Sequence, residues 1–189
     1  FHPRVAEEMA KLLPNAKLIF ILRDPIARAY SHHQQNLRRG REDLSFEDAI
    51  AAEASRISGP DEALSQGKRL HDPYHQHLSY ASRGRYMDQI NHWLKFFPRD
   101  QILVLFTEDL KRDPQPVLDD ALRFLGVSRF RIAKPKTSNS FAYDYDIEPS
   151  TYERLRAYYA TSDVELERFV GRPIPWRRDG DASTQAAGG

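Results

Sequence analysis

Residues 17–36 read KLIFILRDPIARAYSHHQQN, and this stretch decides the fold. Its opening, Leu18 to Leu22, is a continuous apolar run rather than an alternating one. That pattern predicts a strand covered on both faces, as in parallel sheets. The run breaks at Arg23-Asp24-Pro25. Asp24 is a good helix N-cap and Pro25 a good first helical residue, so a helix is expected over 26–39, with Gly40 as its stop. Upstream, residues 4–13 read as a helix with Val5, Met9, Leu12 and Leu13 on one side, ended by Pro14.

Downstream, Ser45 caps a further helix, with Asp48 three residues on in place of Glu or Gln. That helix is expected to reach about Ile57. Periodicity then fails over 58–82, where Gly59, Pro60, Gly67 and Pro73 punctuate a polar stretch, and so long a loop suggests a lid or binding loop. Residues 83–97 form a strong amphipathic pattern carried by Met87, Ile90, Leu94 and Phe97. Residues 101–106 repeat the buried-strand signature. Asp113-Pro114 repeats the cap-then-proline start of a helix that ends at Gly126. Ser150-x-x-Glu153 and Ser162-x-x-Glu165 read as capping boxes of two C-terminal helices. The tail after Trp176, residues 177–189, is small and polar and reads as flexible. No solenoid repeat is present. Helix–strand–helix occurring twice gives an α/β class with a parallel sheet.

Composition narrows the function without naming it. The 189 residues suit one domain. With 28 Lys+Arg against 27 Asp+Glu, the net charge is +1, which argues against gripping nucleic acid through a bulk positive field. Cysteine is absent, which removes disulfide frameworks, thiolate catalysis and Cys-ligated zinc. No apolar run is long enough to span a bilayer, and Phe1 opens no charged-then-apolar leader. A cytoplasmic location is the expectation.

The chemistry concentrates after the first strand. Arg23 stands at the carboxyl end of a strand, where open α/β sheets bind ligands. The next helix is expected to aim its N-terminal amides and positive dipole end at the same crevice. Arg23 offers a fork for phosphate oxygens, and Ser31 is near enough to share the anion. On physics alone this is a phosphate or sulfate cradle. The plainer reading pairs Arg23 with a carboxylate and leaves Ser31 on the surface. His71, His75 and His77 stand in the polar stretch 58–82. Pro73 between the first two spoils a zinc face, and no His-Glu-x-x-His occurs, so a metal is not expected. His71 or His75 is a candidate base, against the plain reading of a solvated loop. His32 and His33 lie beside Ser31 on the helix, in reach of an anion held there, and one of the two is expected only to pack or face water. Trp93 and Tyr86 read as core rather than as a base-stacking pair. Arg38, Arg39 and Arg41, with Glu42, read as a solvated turn, or as a lure for an anionic glycan.

Leu22-Arg23-Asp24-Pro25 and Arg28-Ala29-Tyr30-Ser31 resemble the 3′-phosphate-binding motif of sulfotransferases that use 3′-phosphoadenosine 5′-phosphosulfate (PAPS). Arg83-Gly84-Arg85-Tyr86, Trp93, Phe97-Pro98, Gln101 to Leu105, Glu108-Asp109-Leu110 and Asp113-Pro114, followed by Phe124-Leu125-Gly126-Val127, are similar to a stretch of the heparan-sulfate-type branch. The resemblance covers about 1–176. It implies a P-loop NTPase-like three-layer fold seen as its C-terminal portion, transfer of a sulfuryl group to a hydroxyl or amine, and a saccharide as the acceptor partner. It implies that Arg23 and Ser31 bind the donor's 3′-phosphate, that a late loop of basic and small residues closes over it, and that no metal is needed; residues 134–140, with Lys136, Ser138 and Asn139, are the candidate for that loop, against the plain reading of a solvated basic turn. No Gly-rich turn with Lys and Ser/Thr occurs, so the expectation is the C-terminal two-thirds of a domain. It would retain part of the nucleotide site and lack the main transfer machinery. A noncatalytic nucleotide- or anion-binding module and a nucleotide-phosphate kinase are the competing classes.

Overall fold

The computed structural model describes residues 4–65, 73–133 and 145–177. Helix α1 (Val5–Leu12) precedes strand β1 (Leu18–Leu22), which hands over to α2 (Pro25–Arg38). Helices α3 (Phe46–Ser65), α4 (Pro73–Leu78) and α5 (Tyr86–Leu94) follow, with a 3-10 turn Ser82–Gly84 before the last. Strand β2 (Ile102–Phe106), α6 (Thr107–Arg112), α7 (Pro114–Leu125) and α8 (Pro149–Val170) complete the order. β1 and β2 pair in parallel, from Leu18 opposite Ile102 to Leu22 opposite Phe106. The α/β class with a parallel sheet is therefore realised.

Two larger clusters hold these elements. Ile26, Ala29, Tyr30, Phe46, Leu78, Tyr80, Leu155 and Tyr159 pack together between α2, α3, α4 and α8. Leu22, Tyr86, Met87, Ile90, Phe106, Leu166, Ile174 and Trp176 join the sheet to α5 and the far half of α8. Burying each such aliphatic or aromatic side chain contributes about 1.5–3 kcal/mol, so packing rather than helix propensity fixes the layers. Tyr86 is a core residue and lies edge-on to Trp176 at 6.1 Å, while Trp93 is half-buried against the core, edge-on to Phe20 at the same separation.

Several expectations need correction. β1 is not covered on both faces: Leu18 and Leu22 are buried, whereas Ile19 and Ile21 are 36% and 56% exposed among the described residues. The helical layer of α5 and α8 takes only the side bearing Leu18, Phe20 and Leu22. The stripe predicted for α1 fails likewise. Leu12 and Leu13 are exposed, and Ala6, Met9 and Ala10 make the inward contacts. α3 does not stop near Ile57 but crosses Gly59 and Pro60 to Ser65. A proline removes one backbone bond, and burial of Ala49, Glu53 and Ile57 anchors the turns before it. Much of the expected loop 58–82 is thus helix, through α3, α4 and the 3-10 turn. The two C-terminal helices are one: Ser162 lies inside α8, and its hydroxyl accepts the Met87 N–H at 3.3 Å, capping α5 instead of its own helix.

Candidate functional site

The turn from β1 into α2 is held from three directions. Asp24 caps α2, its carboxylate accepting the N–H groups of Ile26 at 2.8 Å and Ala27 at 3.2 Å. Its own N–H donates to Glu108 Oε1 of α6 at 3.0 Å. The Tyr86 hydroxyl of α5 donates to the Arg23 carbonyl at 2.8 Å. Burial lifts the Asp24 carboxyl above its ordinary range, against the two amide bonds. The cap also corrects an expectation. The first free amides of α2 are spent on Asp24, so an anion cannot use them, and the site opens along the flank of the helix.

That flank forms a cavity of about 430 Å³, lined by Arg23, Arg28, Ser31, His32, Gln35, Arg38 and Arg83. Four are arginines and no carboxylate is among them. Residues 28, 31, 32, 35 and 38 recur at helical spacing and share one face of α2. Arg23 lies over the first turn of that helix, with Nη2 at 3.4 and 3.3 Å from the Ala27 and Arg28 carbonyls. Both distances are long for N–H···O bonds, so its fork is loosely held. Arg28 donates from Nη2 to the Tyr80 carbonyl, while its buried Nε has no partner among the described residues. Arg83 donates to the carbonyls of His75 at 3.2 Å and Gln76 at 2.8 Å. Burial and then the facing Arg28 charge hold its guanidinium below the ordinary range. Such a concentration of like charge in a cavity of small-molecule size favours an anionic occupant.

The segment carrying Arg83 is firmly placed. Glu53 accepts the N–H groups of Ala81 at 2.5 Å and Ser82 at 2.9 Å, and the Tyr159 hydroxyl donates to the Ala81 carbonyl at 3.0 Å. Gly84 fits between Pro25 and Tyr159 so closely that a Cβ would meet their atoms at 2.8 and 2.7 Å. Behind the cavity, Glu42 is buried rather than solvated. It takes Arg56 at 2.7 Å, the Tyr80 hydroxyl at 3.0 Å, and the amides of Asp43 and Leu44 at 3.2 Å each. Burial pushes its carboxyl up, and the Arg56 fork, the Leu44 amide and the Tyr80 hydroxyl more than offset this, leaving it below the usual carboxylate range. That pair fixes Tyr80, whose carbonyl in turn holds Arg28.

The structure thus brings Arg23 and Ser31 to one cavity. His33 is buried against Phe46 and Tyr80, its Nε2 at 3.0 Å from the Leu44 carbonyl, whereas His32 lines the cavity. His75 lies on α4 and is not among the cavity's lining residues; its carbonyl accepts the Ser79 hydroxyl at 2.6 Å. His71, Lys136, Ser138 and Asn139 fall outside the described residues, as does the tail from residue 178. From the sequence, His32 is given an approach to the donor and Arg38 a pull on an anionic glycan, and Arg28, Gln35 and Arg83 no ligand role of their own. Residues 28, 32, 35 and 38 carry a usable signal, the repeat of polar and basic side chains on one helical face. Arg83 stands only in the Arg83-to-Tyr86 block of the resemblance. No group of three His, Asp or Glu side chains that could hold a metal ion occurs among the described residues. No described helix is long and apolar enough to cross a membrane.

Comparison with known proteins fits this geometry. The family described as "Sulfotransferase domain" matches residues 3–171. The human protein named bifunctional heparan sulfate N-deacetylase/N-sulfotransferase 3 is 36% identical over 94% of this chain, which spans 22% of that relative's length. The membrane-associated sulfotransferase kil1 of Dictyostelium discoideum is 24% identical over 93% of the chain and 51% of its own length. The crystal structure of a sulfotransferase from Alicyclobacillus acidocaldarius superposes with a TM-score of 0.74 at 34% identity, covering 94% of this chain and 64% of that one. The motif block at the β1–α2 turn, the parallel strand pair beneath it and the span of these matches have one explanation: the chain belongs to the sulfotransferase domain family.

Proposed function

We propose that the protein transfers a sulfuryl group from PAPS to a hydroxyl or amine of a saccharide acceptor, and that Arg23, Ser31 and Arg28 hold the donor's 3′-phosphate. The observation that carries the reading is the cavity on the α2 flank, whose described wall holds four arginines and Ser31 and no carboxylate. The residues fit the group. A phosphate dianion offers three acceptor oxygens, enough for the Arg23 fork, the Ser31 hydroxyl and the Arg28 Nε, which has no partner among the described residues. The saccharide class is taken from the relatives whose names include heparan sulfate.

When bound, the donor supplies the activated sulfuryl group. The chain's residues bind and orient it. The cavity grips the phosphate on the ribose, far from the reacting sulfur, and so converts remote binding energy into orientation. Asp24, Glu108 and Tyr86 keep the β1–α2 turn, and hence Arg23, in register with the sheet.

Calorimetry with 3′,5′-diphosphoadenosine against 5′-AMP tests the reading. Only the former is expected to bind well. Arg23→Ala should weaken it by roughly 2–4 kcal/mol, since a charge-assisted bond to a desolvated anion is lost. Equal affinity for both nucleotides overturns the assignment. Binding by the full-length protein without transfer to any saccharide leaves the noncatalytic module in its place.

A further inference from the structure

We infer that His32 is a further ligand of the anion in this cavity, one that gains a proton as the anion enters. The inference rests on the 3′-phosphate reading above and deepens it. His32 follows Ser31 directly and lies four residues beyond Arg28, so its ring shares the wall with both. The ring is held edge-on against Tyr80 at a centroid distance of 5.0 Å, and Tyr80 is in turn fixed by Glu42 and Asn36. His32 therefore stays at the cavity instead of swinging away. Its Nδ1 is shut off from water without a hydrogen-bond partner among the described residues. Nε2 is left as the nitrogen through which the ring can meet a ligand.

The groups facing His32 decide its charge. From α2 come Arg28, Ser31, Gln35 and the buried His33; from α4 comes His77; from the turn after α4 come Tyr80 and Arg83; Arg23 and Arg38 complete the wall. Among the described residues, no carboxylate lines the cavity with it. Without a ligand, burial first, then Arg28, Arg83, His77 and His33, push the imidazolium down to about 4, so the ring is neutral. An entering dianion reverses the sign of the local field. The arginines cannot answer by changing protonation, because guanidinium stays charged throughout. His32 can, and its protonated ring then donates to a phosphate oxygen as a charge-assisted bond. The proton comes from solvent, and no covalent bond changes.

The test reads the His32 ring directly. Carbon-edited NMR of the imidazole C–H signals is followed over about pH 4.5–8, the His32 signal being identified by its loss in His32→Asn. Without ligand the signal should stay neutral across that window. With 3′,5′-diphosphoadenosine bound it should titrate inside the window, its midpoint raised by a unit or more, which corresponds to about a tenfold coupling between proton and nucleotide. Arg28→Gln should raise the midpoint in the empty protein, a change that a merely structural role would not produce. Inorganic sulfate, which does not titrate here, should raise it as well, excluding the ligand's own proton as the cause. Binding that needs the 3′-phosphate yet leaves His32 neutral overturns this inference and leaves the functional reading standing. Failure to discriminate 3′,5′-diphosphoadenosine from 5′-AMP overturns both.

Discussion

At the scale of single residues, Gly84 is the most exacting position. A methyl there would meet Pro25 and Tyr159 below 3 Å, at 2.8 and 2.7 Å. Pro25 opens α2 and Tyr159 belongs to the core, so neither can yield cheaply. Gly84→Ala is expected to lower stability by about 1–3 kcal/mol, read as a fall in the denaturant midpoint. It should also weaken 3′,5′-diphosphoadenosine, because the displaced turn carries Arg83 away from Arg28. An unchanged midpoint would show that the turn is looser than its contacts imply. Gly84 is needed here for lack of a side chain, since its backbone does not take a positive φ.

At the scale of elements, helix ends show what could be read and what could not. Asp24-Pro25, Ser45 with Asp48, Asp113-Pro114, and the left-handed Gly40 and Gly126 all behave as their local chemistry dictates. Each needs only partners a few residues away. Ser162 looked the same in sequence and is not, because its partner is the Met87 amide, 75 residues earlier. Ser162→Ala should destabilise the protein by about 1 kcal/mol through the start of α5, with no loss of α8 helicity. Amide exchange that quickens in α8 rather than at Met87 would contradict this. The candidate site divides in the same way. Arg23 and Ser31 stood within one motif, and the Arg28–Arg38 stripe followed from helical spacing. Arg83 stood in the Arg83-to-Tyr86 block of the resemblance, but its place at the cavity comes from the tertiary contact of a 3-10 turn with α2, which no local pattern encodes. The buried Glu42–Arg56 pair was illegible for the same reason: an acidic residue beside three arginines looks solvated until Tyr80 closes over it.

At the scale of the molecule, two buried groups pull stability in opposite directions with pH. Asp163 of α8 accepts the Trp176 Nε1–H at 3.2 Å, and burial lifts its carboxyl from 3.8 to about 6. Its raised value means that the folded chain holds this proton more tightly than the unfolded one. The cost of the buried charge is therefore full above pH 6 and is relieved as pH falls toward 3.8. Asp163→Asn should be more stable than the parent at pH 8, by on the order of 2 kcal/mol, with the advantage gone near pH 4. His32 acts in reverse. Its depressed value leaves the neutral native state unpenalised at pH 7 and progressively costs stability as pH drops from 6.5 through 4. Thermal melts of the parent, Asp163→Asn and His32→Asn across that range separate the two. If the Asp163→Asn advantage is flat with pH, the Asp163 carboxyl is not raised in the native protein.

Helix α8 runs through both large clusters, placing Leu155 and Tyr159 in one and Leu166 in the other. A single rigid rod threaded through two hydrophobic masses denies either one an independent existence. Heating should consequently dissolve the pair together, in one sharp calorimetric peak whose van't Hoff and measured enthalpies agree. A glycine pair set midway along the rod would split that peak in two.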